Sequence, residues 1–201
     1  MSQSAAAVEK TKIYTVEEYF EIDAISEVKY EFVNGKLIEM PGEPIPNLRI
    51  TQNCYKKLSL QLDDKGCEVF VFNAKTVIEK KTKYRYPDVV VTCKDEPDER
   101  FIQFPSILLE VLSLGTEGVD KTDKLREYRS IPSVQHYIIV ASKEVSVQVY
   151  SRNGDPRKWI FEDFTELEDV VILPSLNAQL RLRDIYRGVN FEPQAVSDDA
   201  V

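Results

Sequence analysis

Short apolar runs divide the 201-residue chain into β-strands, and the stretches between them include three with apolar residues at helical spacing. The clearest helix, residues 48–62, places Ile50, Cys54, Leu58 and Leu62 four residues apart on one face. Two further helices are predicted from Thr15 to about Asp23 and over residues 119–129. Strands are predicted over residues 28–33, 36–40, 67–78, 84–91, 106–113, 134–140, 145–150, 159–161 and 170–173, with a last helical turn or two over 180–186.

Two local signals support this division. Thr15 precedes Glu17 and Glu18, which is typical of a helix N-cap followed by an acidic first turn. Asn34 and Gly35 separate two β-prone runs, and this dipeptide is the strongest short signal for a β-hairpin. Because helices and strands are mixed along the chain, we predict one α/β (mixed α+β) domain over residues 13–189, with a mixed central sheet flanked by helices. Flexible tails are expected over residues 1–12 and 190–201.

Two carboxylates stand inside consecutive strand-like runs, where acidic residues are rare. Asp88 follows Pro87 and precedes three valines, and Glu110 interrupts the apolar run of residues 107–112. Asp and Glu are poor strand formers and are seldom buried without a partner. A divalent metal ion shared by the two is the sharpest explanation, because hard cations take oxygen ligands and neighbouring carboxylates otherwise repel each other.

A plainer explanation for each carboxylate alone is an ion pair with Arg or Lys, or a place at a solvated strand end. Pro87 favours a site, since proline cannot donate to a sheet ladder and marks an edge, a bulge or a strand start. For Glu31, in the first hairpin, residue chemistry alone favours an ordinary cross-strand ion pair with Lys29 or Lys36 over a functional role.

Metal-assisted hydrolysis of a phosphodiester also requires a cation near the attacking water or the phosphorus. The residue two positions after the strand glutamate is Leu112, so the candidates are Lys121 and Lys124 on the next helix. Asp120, Lys124 and Tyr128 follow one another at intervals of four and therefore share a helix face. The alternative for this face is an exposed ion pair between Asp120 and Lys124.

The composition limits which binding partners and which cellular compartment can be expected for the protein. The net charge of −8 provides no overall basic field, so any contact with nucleic acid must come from a local patch. Cys54, Cys67 and Cys93 form no CxxC pair and His136 is the sole histidine, which argues against a zinc site. Free, mostly buried thiols in a reducing compartment are expected. Since no apolar run is long enough for a signal peptide or a membrane span, a cytoplasmic protein without membrane contact is expected.

Taken together, these stretches resemble the Uma family of putative restriction endonucleases, within the PD-(D/E)XK restriction-endonuclease-like superfamily. The resemblance covers about residues 14–188. It rests on an ordered set of stretches, namely residues 30–37, 86–90, 109–113, 120–124 with Tyr128, and 131–134. What it implies is a mixed central sheet with flanking helices and an endonuclease that hydrolyses DNA phosphodiester bonds with Mg²⁺ or Mn²⁺.

The resemblance also implies roles for single residues. Asp88 and Glu110 are the implied metal ligands, and Lys124 takes the place of the superfamily lysine that normally stands two residues after the glutamate. Glu31 matches a further acidic position that serves the metal site or the water. The supporting residues are Pro87, Ser113, Asp120 and Tyr128, of which the serine matches a family position suited to hydrogen-bond a carboxylate or phosphate.

The chain departs from the family at one position. Many members carry a histidine near the start of the second helix, where this chain has residues 47–49 and no histidine. Asn47 or Arg49 could supply a hydrogen bond there, but neither titrates near neutral pH. With Leu112 in the usual lysine position, a second hypothesis stays open: a non-catalytic nucleic-acid-binding or regulatory module on the same fold.

Contact with DNA is expected from local cations on both sides of the site. The predicted contacts are Lys81, Lys83, Arg85 and Lys121. A homodimer could assemble a basic cleft from two copies of an acidic chain, and the apolar run of residues 145–150 is the candidate edge strand for such pairing.

Overall fold

The computed structural model describes residues 12–112 and 119–191 of the chain, without the side chains of residues 119–121 and 156. Within this part, the α-helices are α1 (Val16–Ile25), α2 (Ile45–Leu62), α3 (Val119–Ser130) and α4 (Leu182–Ile185). The strands are β1 (Tyr30–Val33), β2 (Lys36–Glu39), β3 (Glu68–Val71), β4 (Thr76–Glu79), β5 (Lys83–Arg85), β6 (Val89–Thr92), β7 (Pro105–Leu112), β8 (His136–Ala141), β9 (Val147–Asn153), β10 (Asp155–Phe164), β11 (Val170–Leu173) and β12 (Ala178–Arg181). No helix among these is long and apolar enough to cross a membrane.

A six-stranded sheet, in the order β10-β9-β8-β7-β6-β3, forms the centre of the structure. Its neighbouring strands are antiparallel except for the parallel pair β7 and β8. A second, antiparallel sheet has the order β2-β1-β5-β4, and β11 pairs with β12. The mixed central sheet confirms the predicted fold class.

Helices cover both faces of the central sheet, because side chains alternate between the two faces of each strand. The predicted α2 stripe from Ile50 to Leu62 is fully buried and packs on one face, in a cluster that includes Leu109. Tyr128 of α3 belongs to the cluster on the opposite face, with Leu108. Glu110 therefore lies on the α3 side of β7, two residues after Leu108.

Both local signals correspond to the structure. Thr15 caps α1: the Glu18 backbone N–H donates to Thr15 Oγ1 at 3.2 Å, and the Thr15 backbone N–H donates to Glu18 Oε2 at 2.8 Å. Asn34 and Gly35 connect β1 to β2 with φ values of 50° and 82°, which is the left-handed backbone that a two-residue hairpin turn requires. A Cβ on Gly35 would lie 2.6 Å from Ile13 Cγ2 and 3.2 Å from the Tyr14 carbonyl oxygen, so a side chain here would add crowding to the strain of the positive φ.

Four predicted elements differ from the structure. The predicted strand over residues 84–91 is two strands in different sheets, β5 and β6, with residues 86–88 between them. The single strand over residues 67–78 is two strands in different sheets, β3 and β4, because Phe72 and Asn73 adopt left-handed φ values of 48° and 57° between them. The helical segment over residues 180–186 begins instead with β12, and only α4 is helical. The candidate edge run of residues 145–150 lies largely in β9, which is an interior strand between β8 and β10. Residues 1–11 and 192–201 of the predicted tails lie outside the described residues.

The expectation of free thiols is wrong for two of the three cysteines. Cys67 and Cys93 form a disulfide with a Cα–Cα distance of 4.0 Å, and only Cys54 is a free, buried thiol. The pairing of Glu68 with Thr92 between β3 and β6 places the two cysteines opposite each other at the next position. Sequence spacing could not reveal this contact, since it depends on which strands pair. The prediction of a reducing compartment depended on free thiols, and the disulfide removes that support.

We predict that opening this disulfide lowers the free energy of unfolding by about 2–4 kcal/mol, because the link restricts the unfolded chain across a separation of 26 residues. Urea denaturation of the oxidised protein with and without dithiothreitol measures the change. The control is Cys67→Ser/Cys93→Ser, whose unfolding should not respond to dithiothreitol. Equal stability of oxidised and reduced parent protein would contradict the prediction.

Candidate active site

Asp88 and Glu110 meet at the end of the β6–β7 pair. The register pairs Val89 with Leu109, so Asp88, which directly precedes β6, lies opposite Glu110 in β7. The Val111 backbone N–H donates to Asp88 Oδ2 at 2.7 Å and fixes this carboxylate against β7. Pro87 stands buried between β5 and β6, where it needs to donate no ladder hydrogen bond.

Helix α3 brings two predicted side chains onto Glu110. Lys124 Nζ lies 3.1 Å from Glu110 Oε1, and the Tyr128 hydroxyl donates to the same oxygen at 2.6 Å. Lys124 is thus directed into the site, with only 15% of its side chain exposed, and is not part of a solvated helix face. Of the other supporting residues, Ser113 and the Asp120 side chain lie outside the described residues.

Glu31 has a partner that differs from both predicted ones. Arg85 Nη1 lies 2.6 Å from Glu31 Oε2, and Lys124 Nζ approaches Glu31 Oε1 at 3.8 Å. The Arg85 guanidinium also lies 3.1 Å from Glu127 Oε2 on α3, and Lys83 Nζ lies 3.3 Å from Glu127 Oε1. Neither Lys29 nor Lys36 pairs with Glu31 within the described part of the chain; the former lies 3.7 Å from Asp23.

These contacts decide which of the predicted DNA-binding cations can reach a nucleic acid. Arg85 is buried between two carboxylates, so its guanidinium cannot reach a phosphate backbone in this structure, and that expectation is corrected. Lys83 is engaged with Glu127. Lys81 is exposed at the turn between β4 and β5, and the Lys121 side chain lies outside the described residues.

The site carries more negative than positive charge among its described side chains. Its four carboxylates are Asp88, Glu110, Glu31 and Glu127, and its three cations are Arg85, Lys83 and Lys124. Burial, with Glu110 and Glu43 nearby, raises the pKa of Asp88 to about 8. Burial also raises the pKa of Glu110, although Lys124 and Tyr128 oppose this change. At neutral pH, the Asp88 carboxyl therefore holds a proton, and a metal cation beside it would fit in place of that proton.

A cleft of about 460 Å³ opens at Asp88, and one of its lining residues, Glu43, was not singled out from the sequence. Glu43, at its rim, accepts a hydrogen bond of 2.9 Å from the Asn47 side-chain amide. The buried Asn47 amide also lies 3.4 Å from the Val111 carbonyl oxygen, so it links this rim to the strand that carries Glu110. Of the two residues expected to offer a hydrogen bond here, Asn47 makes its bonds beside the site, whereas Arg49 donates to the Gly188 carbonyl oxygen at 2.7 Å. His136, with its pKa lowered to about 4 by burial, lies elsewhere and bonds Ser151 and Ser175.

The donor set fits a metal held by two carboxylates. Oδ1 of Asp88 and Oε2 of Glu110 accept no hydrogen bond from any described residue, so one oxygen of each is available. The described residues contain no group of three or more acidic, histidine or cysteine side chains arranged to hold an ion. Two carboxylates suffice for Mg²⁺, which usually keeps several waters and takes further oxygens from substrate phosphates.

Comparison with known proteins identifies the family and the fold. A family model described as Uma2, putative restriction endonuclease, matches residues 16–184. Two uncharacterised proteins of Synechocystis sp. strain PCC 6803 are similar: sll1609 is 32% identical over 160 residues (78% of this chain, 90% of the relative), and slr1290 is 30% identical over 177 residues (87% and 92%).

The crystal structure of a putative nuclease belonging to DUF820, from Anabaena variabilis, shares the fold. It superposes with a TM-score of 0.68 over 86% of this chain and 97% of its own, at 20% sequence identity. The family match covers most of the described structure, including Asp88, Glu110 and Lys124. The chain therefore belongs to the Uma2 family of putative restriction endonucleases.

Proposed function

We propose that this protein is a metal-dependent endonuclease that hydrolyses phosphodiester bonds of DNA. The observation that carries the proposal is the meeting of Asp88, Glu110 and Lys124 in one partly buried cluster, in a chain of a nuclease-like family. Two adjacent carboxylates and a fixed ammonium are the groups that metal-assisted phosphodiester hydrolysis requires.

Each residue has a distinct part in the proposed reaction. Asp88 and Glu110 would hold a Mg²⁺ or Mn²⁺ ion, which, when bound, polarises the phosphate and acidifies a water molecule. Tyr128 and Lys124 both contact Oε1 of Glu110 and so leave its Oε2 to the ion. Although burial disfavours its charged form, Glu110 and Glu31 raise the pKa of Lys124. Lys124 therefore acts as a permanent positive charge that stabilises the phosphorane-like transition state, not as a general base.

The cleft itself explains why a cation is needed before DNA can approach. Its charged lining consists of the carboxylates of Glu27, Glu39, Glu43 and Asp88 and the single ammonium of Lys29. Such a rim repels a phosphate until a divalent ion reverses the local sign of charge. DNA affinity in this proposal therefore depends on the metal, with exposed cations such as Lys81 adding backbone contacts.

A non-catalytic nucleic-acid-binding or regulatory module is the second candidate. It is favoured by the internal neutralisation of Glu110 by Lys124 and by the absence of a histidine from residues 47–49 at the start of α2. The two functions differ in one measurable property. The nuclease binds a divalent ion through Asp88 and Glu110 and cleaves DNA, whereas the module binds nucleic acid without hydrolysing it.

We predict that calorimetric titration with Mn²⁺ or Mg²⁺ detects binding that Asp88→Asn and Glu110→Gln each weaken at least tenfold, because each removes one of two charged ligands. The parent should nick plasmid DNA with the same metal dependence and lose this activity in EDTA. Glu144→Gln, an exposed carboxylate elsewhere, is the matched control. Absence of binding at millimolar metal, in protein shown to be folded, would exclude an independent metal site.

Substitution of Lys124 should separate catalysis from metal binding. Lys124→Met keeps the length of the side chain and removes the charge, and we expect the cleavage rate to fall about 10²–10³-fold, the usual effect of losing one transition-state stabilising group. Calorimetry should show that metal affinity is kept. Lys56→Met, on the exposed side of α2, is the matched control. Unchanged cleavage by Lys124→Met would remove this residue from the mechanism.

The raised pKa of Asp88 predicts a pH dependence of stability. Between its ordinary pKa near 3.8 and its folded-state pKa of about 8, the folded protein holds a proton that the unfolded chain releases, so stability falls as pH rises. In metal-free buffer, the parent should lose on the order of 3 kcal/mol more than Asp88→Asn between pH 5 and pH 8. Urea denaturation of both proteins at the two pH values tests this, and equal losses would refute it.

A further inference from the structure

Strand β10 forms one edge of the central sheet, and its outer side pairs with no described residue. With ten residues it is the longest of the described strands, and its neighbour in the sheet is β9 alone. Two of its large apolar side chains are strongly exposed, Ile160 at 44% and Phe161 at 52%. A long edge strand of this kind is a template for pairing with another strand.

The charges of β10 are ordered along the strand. Its central part reads Arg157, Lys158, Trp159, Ile160, Phe161, Glu162 and Asp163. Two basic residues thus precede three apolar ones, and two acidic residues follow. Because one half is basic and the other acidic, the strand is complementary in charge to a copy of itself that runs in the opposite direction.

We propose that two copies of the chain pair antiparallel through β10, about a twofold axis at Ile160. A twofold axis normal to a sheet keeps every side chain on its own face, so facing residues must be an even number of positions apart. With the axis at Ile160, Lys158 faces Glu162 of the second copy and Arg157 faces Asp163. An axis one residue away in either direction places both basic residues opposite uncharged side chains. This register is therefore the one that the charges select.

The same register pairs the apolar side chains on both faces of the joined sheets. Trp159 would face Phe161 of the second copy on the side where Phe161 already lies 5.0 Å from the Tyr150 ring. Ile160 would meet its own counterpart on the opposite side. Aromatic, aliphatic and opposite-charge pairs across strands are the units that stabilise antiparallel sheets. The twofold axis produces each of these pairs twice, except for the Ile160 pair, which lies on the axis.

The charged side chains of β10 are available for these pairs. Arg157 is 92% exposed and has Asp155, at 3.6 Å, as its described ionic partner. Lys158, Glu162 and Asp163 make no ion pair with any described residue. The pairing with β9 is irregular between Asp155 and Trp159, so β9 does not fix the two basic residues in register. Their long side chains can therefore adjust to a second copy.

Sedimentation velocity over a concentration series tests the proposal on the full chain. The parent protein should be a dimer, and Lys158→Glu or Glu162→Lys alone should weaken the dimer at least tenfold, because each places like charges opposite each other twice per dimer. Lys143→Glu changes the net charge as much as Lys158→Glu does, at an exposed position outside β10, and should leave the dimer intact. Circular dichroism confirms that each variant is folded.

Mixing the two single variants gives the decisive measurement. A Lys158→Glu chain and a Glu162→Lys chain restore both kinds of ion pair with each other, so an equimolar mixture should dimerise where each variant alone does not. The double variant Lys158→Glu/Glu162→Lys should likewise recover the parent dimer. A parent that is monomeric at about 100 µM, a dimer insensitive to both single variants, or a mixture that stays monomeric would each overturn the proposal.

Discussion

The buried pairing of Arg85 with Glu31 and Glu127 is the interaction on which the rest of the site depends. One guanidinium joins β1, β5 and α3, at 2.6 Å from Glu31 and 3.1 Å from Glu127. Removing one partner of such a buried pair leaves an uncompensated charge and costs about 3–5 kcal/mol. Because these contacts hold α3 against the small sheet, they also fix Lys124 and Tyr128 over Glu110.

Local chemistry made much of the fold predictable. The cap at Thr15, the turn at Asn34 and Gly35 and the four-residue spacing of the α2 stripe each depend on contacts within a few positions of the chain. The same holds for the face of α3 that carries Lys124 and Tyr128, since residues four apart on a helix must lie on one side. Glu127, three residues after Lys124, adjoins this face and could have been identified because residues three apart on a helix are also neighbours.

Contacts between distant segments could not be predicted in this way. Arg85 reads as a surface cation in a basic stretch, and its burial appears only when β5 pairs with β1 beside α3. Cys67 and Cys93 become neighbours only through the pairing of β3 with β6. The break at Phe72 had no sequence signal, because a non-glycine residue with positive φ is held there by tertiary structure and not by its own preference.

The location of the cations reconciles an acidic chain with a nuclease-like site. Lys83, Arg85 and Lys124 are directed inward, where they neutralise all but one of the four clustered carboxylates. Burial first, and then the negative charge of Glu110, raises the pKa of Asp88. A divalent ion would replace that proton and give the cleft the positive charge that its own rim lacks. In the proposed function, the metal is therefore required both to bind the phosphate and to hydrolyse it, and the net charge of the chain is no obstacle to either.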